Sequence, residues 1–210
     1  MSEQQPLYLP PEAYDAKANS KGRRTNLANY IAETARGHVF PTRDSGAKSP
    51  FLDIAAGTGI ISHALAAKGY AVTSFDQSEP YLNYLQTQYP QDKIKTKTGD
   101  MNRSFQLQTG TFAGVTTVWA NRFIEDHSSL IKRVHNVLES DGVFVWPVFS
   151  AERTAYWAET GNKMPSVNEL KEGLQERFGT VYEERVGFVS AVTKGIEVFG
   201  RPRILVAKKI

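Results

Sequence analysis

Residues 52–59 are Leu52-Asp53-Ile54-Ala55-Ala56-Gly57-Thr58-Gly59, an apolar run followed by a turn of small residues. The run from Phe51 to Ala55 predicts a strand, and the apolar positions that follow Gly59 share one face of a helix. Only residues with little or no side chain allow a ligand to lie against the backbone of such a turn. The pattern therefore predicts a ligand-binding turn, with an ordinary tight strand-to-helix connection as the alternative.

The same alternation of strand and helix continues along the chain. From Pro50 onward, short apolar runs alternate with amphipathic segments, as in the βαβ units that build a parallel sheet. One predicted helix runs from Ser128 to Ser140, and a capping-box match at Ser166–Glu169 begins another. No helical pattern separates the last two strands, so these should pair antiparallel. The prediction is an α/β fold with a doubly wound sheet. Its predicted strands are Phe51–Ala55, Ala71–Asp76, Ile94–Thr98, Val115–Trp119, Val143–Phe149, Val181–Val192 and Ile204–Lys208.

Residues 1–49 are predicted to be an appendage of this sheet. Five of the ten prolines lie within the first fifty residues, which favours extended arms, and helical spacing marks one helix at about Asn26–Ala35. The sheet is expected to fold without residues 1–43. Because the appendage precedes the first strand, it is a candidate lid over the carboxyl ends of the strands, and Tyr14, Arg23 and Arg24 are expected nearest the ligands.

Composition favours one ordinary domain. The chain has 210 residues, and 40% of them are hydrophobic. Its formal charge of +3 does not indicate a particular class of binding partner. It contains no cysteine, which excludes disulfides and Cys-ligated metal sites and fits the cytoplasm. There is no secretory pattern and no apolar run long enough to span a bilayer, so the prediction is a cytoplasmic protein without membrane insertion. The predicted single domain, residues 1–210, comprises the appendage (1–49), a cofactor-binding core (50–150) and a C-terminal helix and strand hairpin (151–210).

Asp76 ends the second predicted strand. A carboxylate at that place can accept both hydroxyls of a ribose, and its distance in sequence from the glycine turn is about that of nucleotide-binding βαβ units. A lone aspartate at a strand end can equally be a helix cap or a solvated charge. Together with the turn, Asp76 favours a nucleotide site.

Three stretches in succession resemble the cofactor motifs of class I, Rossmann-like S-adenosylmethionine-dependent methyltransferases. They are Asp53–Gly59, Phe75-Asp76-Gln77-Ser78 and Thr98-Gly99-Asp100-Met101, and the likeness extends through Asn121–His127 and Leu138–Gly142. The resemblance implies a seven-stranded, mainly parallel sheet with an antiparallel last strand and helices on both faces. It also implies S-adenosyl-L-methionine as cofactor, bound above the carboxyl ends of the first strands.

The resemblance further implies roles for the residues of these motifs. Asp53 would support the turn and the amino group of the cofactor, Gly57 would pass under its amino acid part, and Asp76 would hold the ribose. Asp100 would receive the adenine amino group. Ala55 departs from the family, which commonly has glycine there, and alanine suits the position only if its backbone does not need positive φ. The predicted cofactor-binding residues are Asp53, Ala55, Gly57, Gly59, Asp76, Gln77, Asp100, Met101 and Ala120.

The acceptor side is predicted to lie after the fourth strand, at Ala120–His127. This segment lacks the Asn/Asp-Pro-Pro-aromatic tetrapeptide typical of methylases of exocyclic base amines. His127 and Glu125 are candidate bases for a hydroxyl or acid substrate. The alternative is a polar helix start that Asp126 or Ser128 caps. Aromatic side chains that could line an acceptor pocket are Trp119, Trp146, Phe149, Tyr156 and Trp157.

The predicted function is methyl transfer, by direct in-line displacement, to an oxygen or nitrogen of a small molecule. RNA or protein acceptors stay open, and a nicotinamide-dependent oxidoreductase or a non-catalytic nucleotide-binding domain is the alternative from another class. Against that last class, Ser62 stands where the third glycine of the dinucleotide fingerprint would fall. The four histidines lack zinc-like spacing, so no metal site is predicted.

Overall fold

The protein is described by a computed structural model over residues 10–18, 23–148, 165–185 and 203–210. Its centre is a seven-stranded sheet of order β3-β2-β1-β4-β5-β7-β6. Neighbouring strands from β3 to β5 pair parallel, whereas β7 pairs antiparallel with both β5 and β6. The predicted doubly wound sheet with an antiparallel last strand is confirmed. The strands are β1 Pro50–Ile54, β2 Ala71–Asp76, β3 Lys95–Thr98, β4 Phe112–Thr117, β5 Leu138–Val148, β6 Thr180–Arg185 and β7 Arg203–Lys208.

Helices cover both faces of the sheet. On one face, α2 and α3 bury Ile31 and Leu65 against β1, β5 and β7, and on the other, α5 and α6 bury Leu130 and Leu174. The capping box at Ser166 is present, with Glu169 bonded back to the Ser166 backbone. The helices are α1 Pro11–Ala18, α2 Arg23–His38, α3 Ile60–Ala67, α4 Glu79–Gln88, α5 His127–Val137 and α6 Val167–Gln175, with 3-10 turns at Pro90–Asp92 and Asn121–Phe123.

Several element boundaries differ from the sequence-based prediction, and two of these differences have a clear local cause. The fourth strand ends at Thr117 rather than Trp119, because Trp119 adopts a left-handed backbone conformation with φ 59° that a strand cannot contain. The helix predicted to reach Ser140 ends at Val137, because Leu138 pairs with Phe112 of β4 and so begins β5. Phe149 and residues 186–192, which were predicted to be strand, lie outside the described residues.

The N-terminal segment also differs from the prediction. Its described residues contain two helices rather than one, and α2 is longer than the predicted Asn26–Ala35. Ile31, Ala32 and Ala35 of α2 are fully buried in the same cluster as β1, β5 and β7. Removal of residues 1–43 would therefore expose one face of the core, which argues against the expectation that the sheet folds without them.

The register of the parallel strands determines where a site can form. Ile54, the last residue of β1, pairs with Phe75 of β2 and with Thr117 of β4. The turns that follow these three strands therefore meet at one edge of the sheet, where ligands of open α/β sheets bind. Among the described residues, no helix is long and apolar enough to cross a membrane.

Candidate active site

A cleft of about 220 Å³ opens at the carboxyl ends of β1, β2 and β4. The turn at Ala55–Thr58 forms one side, and residues 118–120, directly after β4, form another. Tyr14 of α1 and Arg24 of α2 line the same cleft, so the N-terminal helices take part in its walls. The cleft thus joins the predicted cofactor turn to the predicted acceptor side.

Asp76 lies at the end of β2, in the cleft, with its side chain largely buried. Its Oδ2 accepts the backbone N–H of Gly57 at 2.8 Å, and its Oδ1 accepts the N–H of Ser78 at 2.8 Å. Burial raises the pKa of Asp76, and these backbone hydrogen bonds oppose the rise. A carboxylate has about four acceptor sites, so two such bonds leave capacity for the hydroxyls of a ligand.

Asp53 lies beneath the turn and is almost fully buried. Its Oδ2 accepts the hydroxyl of Ser62 at 2.6 Å, and that hydroxyl oxygen lies 2.6 Å from the Ser74 hydroxyl. Burial raises the pKa of Asp53 to about 7, the Ser62 hydrogen bond works against this, and the nearby Asp76 adds to it. Asp53 therefore ties β1, α3 and β2 together under the cleft.

Small residues shape the turn in three different ways. Gly57 has φ 55°, lines the cleft and has open space where a Cβ would stand. Gly59 has φ 86°, and a Cβ there would lie 2.3 Å from Leu85 Cγ, so its packing against α4 requires glycine. Ala55 has φ 57°, so the alanine occupies a left-handed conformation that costs an L-residue about 1–2 kcal/mol.

Two of the residues predicted to bind cofactor do not line this cleft. Gly59 packs against α4 instead. Asp100 accepts the N–H of Asn102 at 2.8 Å and faces Arg103 at 3.9 Å, within its own loop. The predicted residues that do line the cleft are Asp53, Ala55, Gly57, Asp76, Gln77, Met101 and Ala120.

Several lining residues were missed by the sequence analysis. Tyr81 belongs to α4 and faces the cleft, where its ring stacks on Tyr14 at 5.4 Å. Gly99 also lines the cleft, and a Cβ there would lie 2.6 Å from the Phe75 ring, so the position requires glycine. Phe123 lies in the 3-10 turn after β4, partly exposed. The helical periodicity of α4 marks Tyr81 only as apolar, so no local signal distinguished it from core residues.

The N-terminal helices contact the cleft through specific side chains. Asp15 of α1 accepts the hydroxyl of Thr58 in the turn at 3.1 Å. The Arg24 guanidinium lies over the rings of both Tyr14 and Trp119, with its carbon 4.5 and 4.6 Å from the ring centroids. Arg24 also donates to the Tyr14 hydroxyl at 2.6 Å. Two of the three residues expected nearest the ligands, Tyr14 and Arg24, thus line the cleft, whereas the Arg23 side chain lies outside the described part of the structure.

The candidate bases lie away from the cleft lining. Glu125 is exposed, and its backbone N–H bonds Asn102. The His127 ring stacks on Trp146 at 6.0 Å, and burial lowers its pKa. Asp126 caps α5 by accepting the N–H groups of Ser128 and Ser129 at 2.9 and 3.2 Å, so capping, the alternative interpretation, describes this segment.

The aromatic residues predicted for an acceptor pocket divide into two groups. Trp119 lines the cleft, whereas Trp146 is fully buried and donates to the Asn121 side chain at 2.9 Å. Phe149, Tyr156 and Trp157 lie outside the described residues. Within the described ranges, no group of three or more His, Cys, Asp or Glu residues is placed to hold a metal ion.

Comparison with known proteins points to methyltransferases. Residues 52–146 match the family model described as a methyltransferase domain. The fold is similar to that of a putative methyltransferase from Haloferax volcanii solved with the Trm112 methyltransferase activator, with a TM-score of 0.72, 15% identity, and coverage of 97% of this chain and 100% of that one.

Two further solved structures have similar folds. A putative S-adenosyl-L-methionine-dependent methyltransferase from Methanococcus maripaludis gives a TM-score of 0.68 at 18% identity, covering 100% of this chain and 97% of that one. Geranyl diphosphate methyltransferase in complex with GPP and sinefungin gives a TM-score of 0.68 at 13% identity, and the match covers 89% of this chain and 77% of that one. No curated protein matches the sequence. The family match over residues 52–146, which contain the cofactor motifs, and the seven-stranded sheet are consistent with a class I, Rossmann-like S-adenosylmethionine-dependent methyltransferase.

Proposed function

We propose that this chain transfers a methyl group from S-adenosylmethionine to an oxygen or nitrogen of a small-molecule acceptor. The observation that carries the proposal is the cleft itself, in which the Gly57 turn and Asp76 share one space with Trp119 and Phe123. Its volume of about 220 Å³ is small among ligand cavities, and Tyr14 adds a further wall. A cleft of this size with aromatic walls favours a small acceptor over a nucleic acid or a protein segment.

The residues in the cleft fit the cofactor that the family implies. Asp76 is a buried acceptor at the place where ribose hydroxyls bind in such sheets, and Gly57 leaves open space beside the turn. Met101 is buried beside Phe75 and gives an apolar surface for a planar base. In this proposal Asp76 holds the ribose, Met101 packs on the adenine, and Gly57 and Ala55 approach the amino acid part.

The cofactor supplies an electrophilic methyl group on a sulfonium sulfur. Asp76, Gly57 and Met101 would hold the cofactor, and its chemistry there would be direct transfer of the methyl to a lone pair of the acceptor, whose proton would be lost to solvent. The residues of the cleft contribute position and exclusion of water, effects that account for large accelerations without a covalent intermediate. Because His127 and Glu125 do not line the cleft, the proposal assigns neither of them a required role as base.

The first experiment measures cofactor binding by calorimetric titration with S-adenosylhomocysteine and, for comparison, NADH. Binding of S-adenosylhomocysteine alone is expected, and a response to NADH alone would contradict the proposal. The second incubates the protein and S-adenosylmethionine with separate pools of metabolites, RNA and protein, followed by mass analysis of products. Methylation confined to the metabolite pool is expected, whereas methylation of RNA or protein would replace the small-molecule acceptor in this proposal.

A further inference from the structure

Asn102 follows Met101 in the loop after β3, and its side chain is half-buried. Its Nδ2 donates to the backbone carbonyl of Phe123 at 2.8 Å, and its Oδ1 accepts the backbone N–H of Glu125 at 3.0 Å. The opposite amide orientation would place N–H against N–H and oxygen against oxygen, so only the observed one forms both bonds. One side chain thus joins the loop after β3 to the segment after β4, 21 and 23 residues further along the chain.

The two hydrogen bonds of Asn102 lie on either side of Ile124, whose side chain is buried in the core on that face of the sheet. The Asn102 backbone is fixed as well, because its N–H donates to Oδ1 of Asp100 at 2.8 Å. The segment after β4 is held at its start by Asn121, which accepts from Trp146 of β5 at 2.9 Å. Asn102 therefore fixes the middle of this segment, between its anchored start and helix α5.

Both loops that Asn102 joins contribute to the cleft. Met101 is buried beside Phe75 on the cofactor side, and Phe123 lies on the acceptor side with 38% of its surface exposed. Asn102 lies outside the described lining of the cleft, so it acts through these neighbours. Coupling between two sites travels through packed side chains and hydrogen bonds that connect them, and Asn102 supplies such a connection.

We propose that Asn102 is a positioning residue that couples cofactor binding to the acceptor side of the cleft. A cofactor that packs on Met101 restricts the loop after β3, and Asn102 passes this restriction to the backbone at Phe123. The acceptor side is therefore fully formed only when the cofactor is bound. This inference rests on the proposed function and adds to it a dependence of the acceptor side on the cofactor.

The test measures hydrogen exchange of individual backbone amides by NMR in the full chain, with and without saturating S-adenosylhomocysteine. In the wild type we expect the ligand to slow exchange at residues 99–102 and also at residues 123–125. In Asn102→Ala the ligand should still slow exchange at residues 99–102, whereas the slowing at residues 123–125 should be lost. The expected difference at the Glu125 amide is about 2- to 10-fold, the effect of one hydrogen bond.

Two further variants accompany this comparison. Asn136→Ala replaces an exposed asparagine of α5 and should respond to the ligand as the wild type does. Asn102→Asp keeps an oxygen for the Glu125 N–H but has no donor for the Phe123 carbonyl, so it should retain only part of the slowing. If Asn102→Ala does not fold, Asn102→Asp takes its place in the comparison.

The dependence on ligand separates coupling from a merely structural role. A structural role alone would raise exchange at residues 123–125 by the same factor with and without S-adenosylhomocysteine. Equal ligand-induced slowing in the wild type and in the Asn102 variants would therefore overturn the proposal. So would a wild type that binds S-adenosylhomocysteine without slower exchange at residues 123–125. A wild type that fails to bind S-adenosylhomocysteine would contradict the proposed function instead.

Discussion

Replacement of Asp76 by alanine removes a buried acceptor that bonds the N–H groups of Gly57 and Ser78. We expect the affinity for S-adenosylhomocysteine to fall roughly tenfold or more, because a hydrogen bond to a charged group is worth about 1.5–3 kcal/mol. The protein should stay folded, with a lower melting temperature from the two unpaired N–H groups. Calorimetric titration measures the affinity, with Asp44→Ala, an exposed aspartate, as control. An unchanged dissociation constant would remove Asp76 from the site.

The two glycines of the turn should respond oppositely to a side chain. At Gly57 a Cβ meets nothing within 4 Å, so Gly57→Val should fold, at a cost of about 1–2 kcal/mol from its positive φ, and lose cofactor binding because the side chain enters the cleft. Gly59→Ala would place a Cβ against Leu85 and should mainly destabilise the fold. Thermal melts and titrations of both variants give the comparison. Cofactor binding retained in folded Gly57→Val would show that the turn is structural only.

Ala55 stores strain that glycine would release. A φ of 57° costs alanine about 1–2 kcal/mol. Glycine removes this strain, but its greater conformational entropy in the unfolded chain offsets roughly half of the stabilisation. We expect Ala55→Gly to raise the free energy of unfolding by up to about 1 kcal/mol and to keep cofactor binding. Urea unfolding measures the change. A loss of stability by about 1 kcal/mol would mean that the backbone there leaves the left-handed region.

At the level of elements, α1 lies against the cleft without entering the core. None of the described side chains between Pro11 and Asp15 is fully buried, yet Tyr14 and Asp15 contact the cleft and the turn. Removal of residues 1–22 should leave a folded protein whose affinity for S-adenosylhomocysteine falls several-fold, since a stacked aromatic contact contributes about 0.5–1.5 kcal/mol. Once an acceptor is known, turnover should fall more than this affinity, because the enclosing wall is lost.

The control for that truncation is removal of residues 1–43, which also deletes the buried face of α2 and should unfold the chain. Circular dichroism and titration distinguish the two truncations. Equal affinity and turnover in the 1–22 truncation and the full chain would rule out a lid. A truncation at residue 43 that stays folded would contradict the place of α2 in the core.

The elements could be predicted where a local pattern decides them. Strand β2 has its predicted bounds, Ala71–Asp76, because a β-branched and aromatic run lies between a glycine and a helix cap. The predicted range of β4 extended too far toward the C-terminus, because Val118 and Trp119 are residue types that favour strands. Only tertiary contacts show that Trp119 lies outside the strand. Helix α1 was missed because prolines at both its first position and the one before favoured an extended arm.

The site was predictable on one side only. The turn at Gly57 and Asp76 follows from strand ends and small residues, which are local features of the sequence. Tyr14 and Tyr81 reach the cleft from α1 and α4, whose contact is set by packing and not by spacing along the chain. The acceptor side has no diagnostic group after β4, and methyl transfer that depends on position requires none.

At the scale of the whole molecule, Asp53 links stability to pH. Its pKa of about 7 lies above the 3.8 of an unfolded chain, so the folded state binds more protons between these values. Stability that involves this group is therefore greatest at low pH and is lost as pH rises towards 7. Asp53→Asn removes the ionisation, so its free energy of unfolding relative to the wild type should increase from pH 5 to pH 7.5.

Urea unfolding of both proteins at the two pH values measures this difference. Asparagine keeps an oxygen that can accept from the Ser62 hydroxyl, and Asp44→Asn serves as the exposed control. Parallel pH dependence in wild type and Asp53→Asn would show that Asp53 stays ionised in the folded protein.

The strand order also determines how the molecule behaves towards copies of itself. β3 is an edge strand of the sheet: it pairs with β2 on one side, and among the described residues no strand pairs with its other side. The exposed backbone groups of an edge strand can pair with another chain, and proteins reduce that risk with short edge strands and charged side chains. β3 has four residues, with lysines at positions 95 and 97. Brevity and positive charge therefore work together there against aggregation.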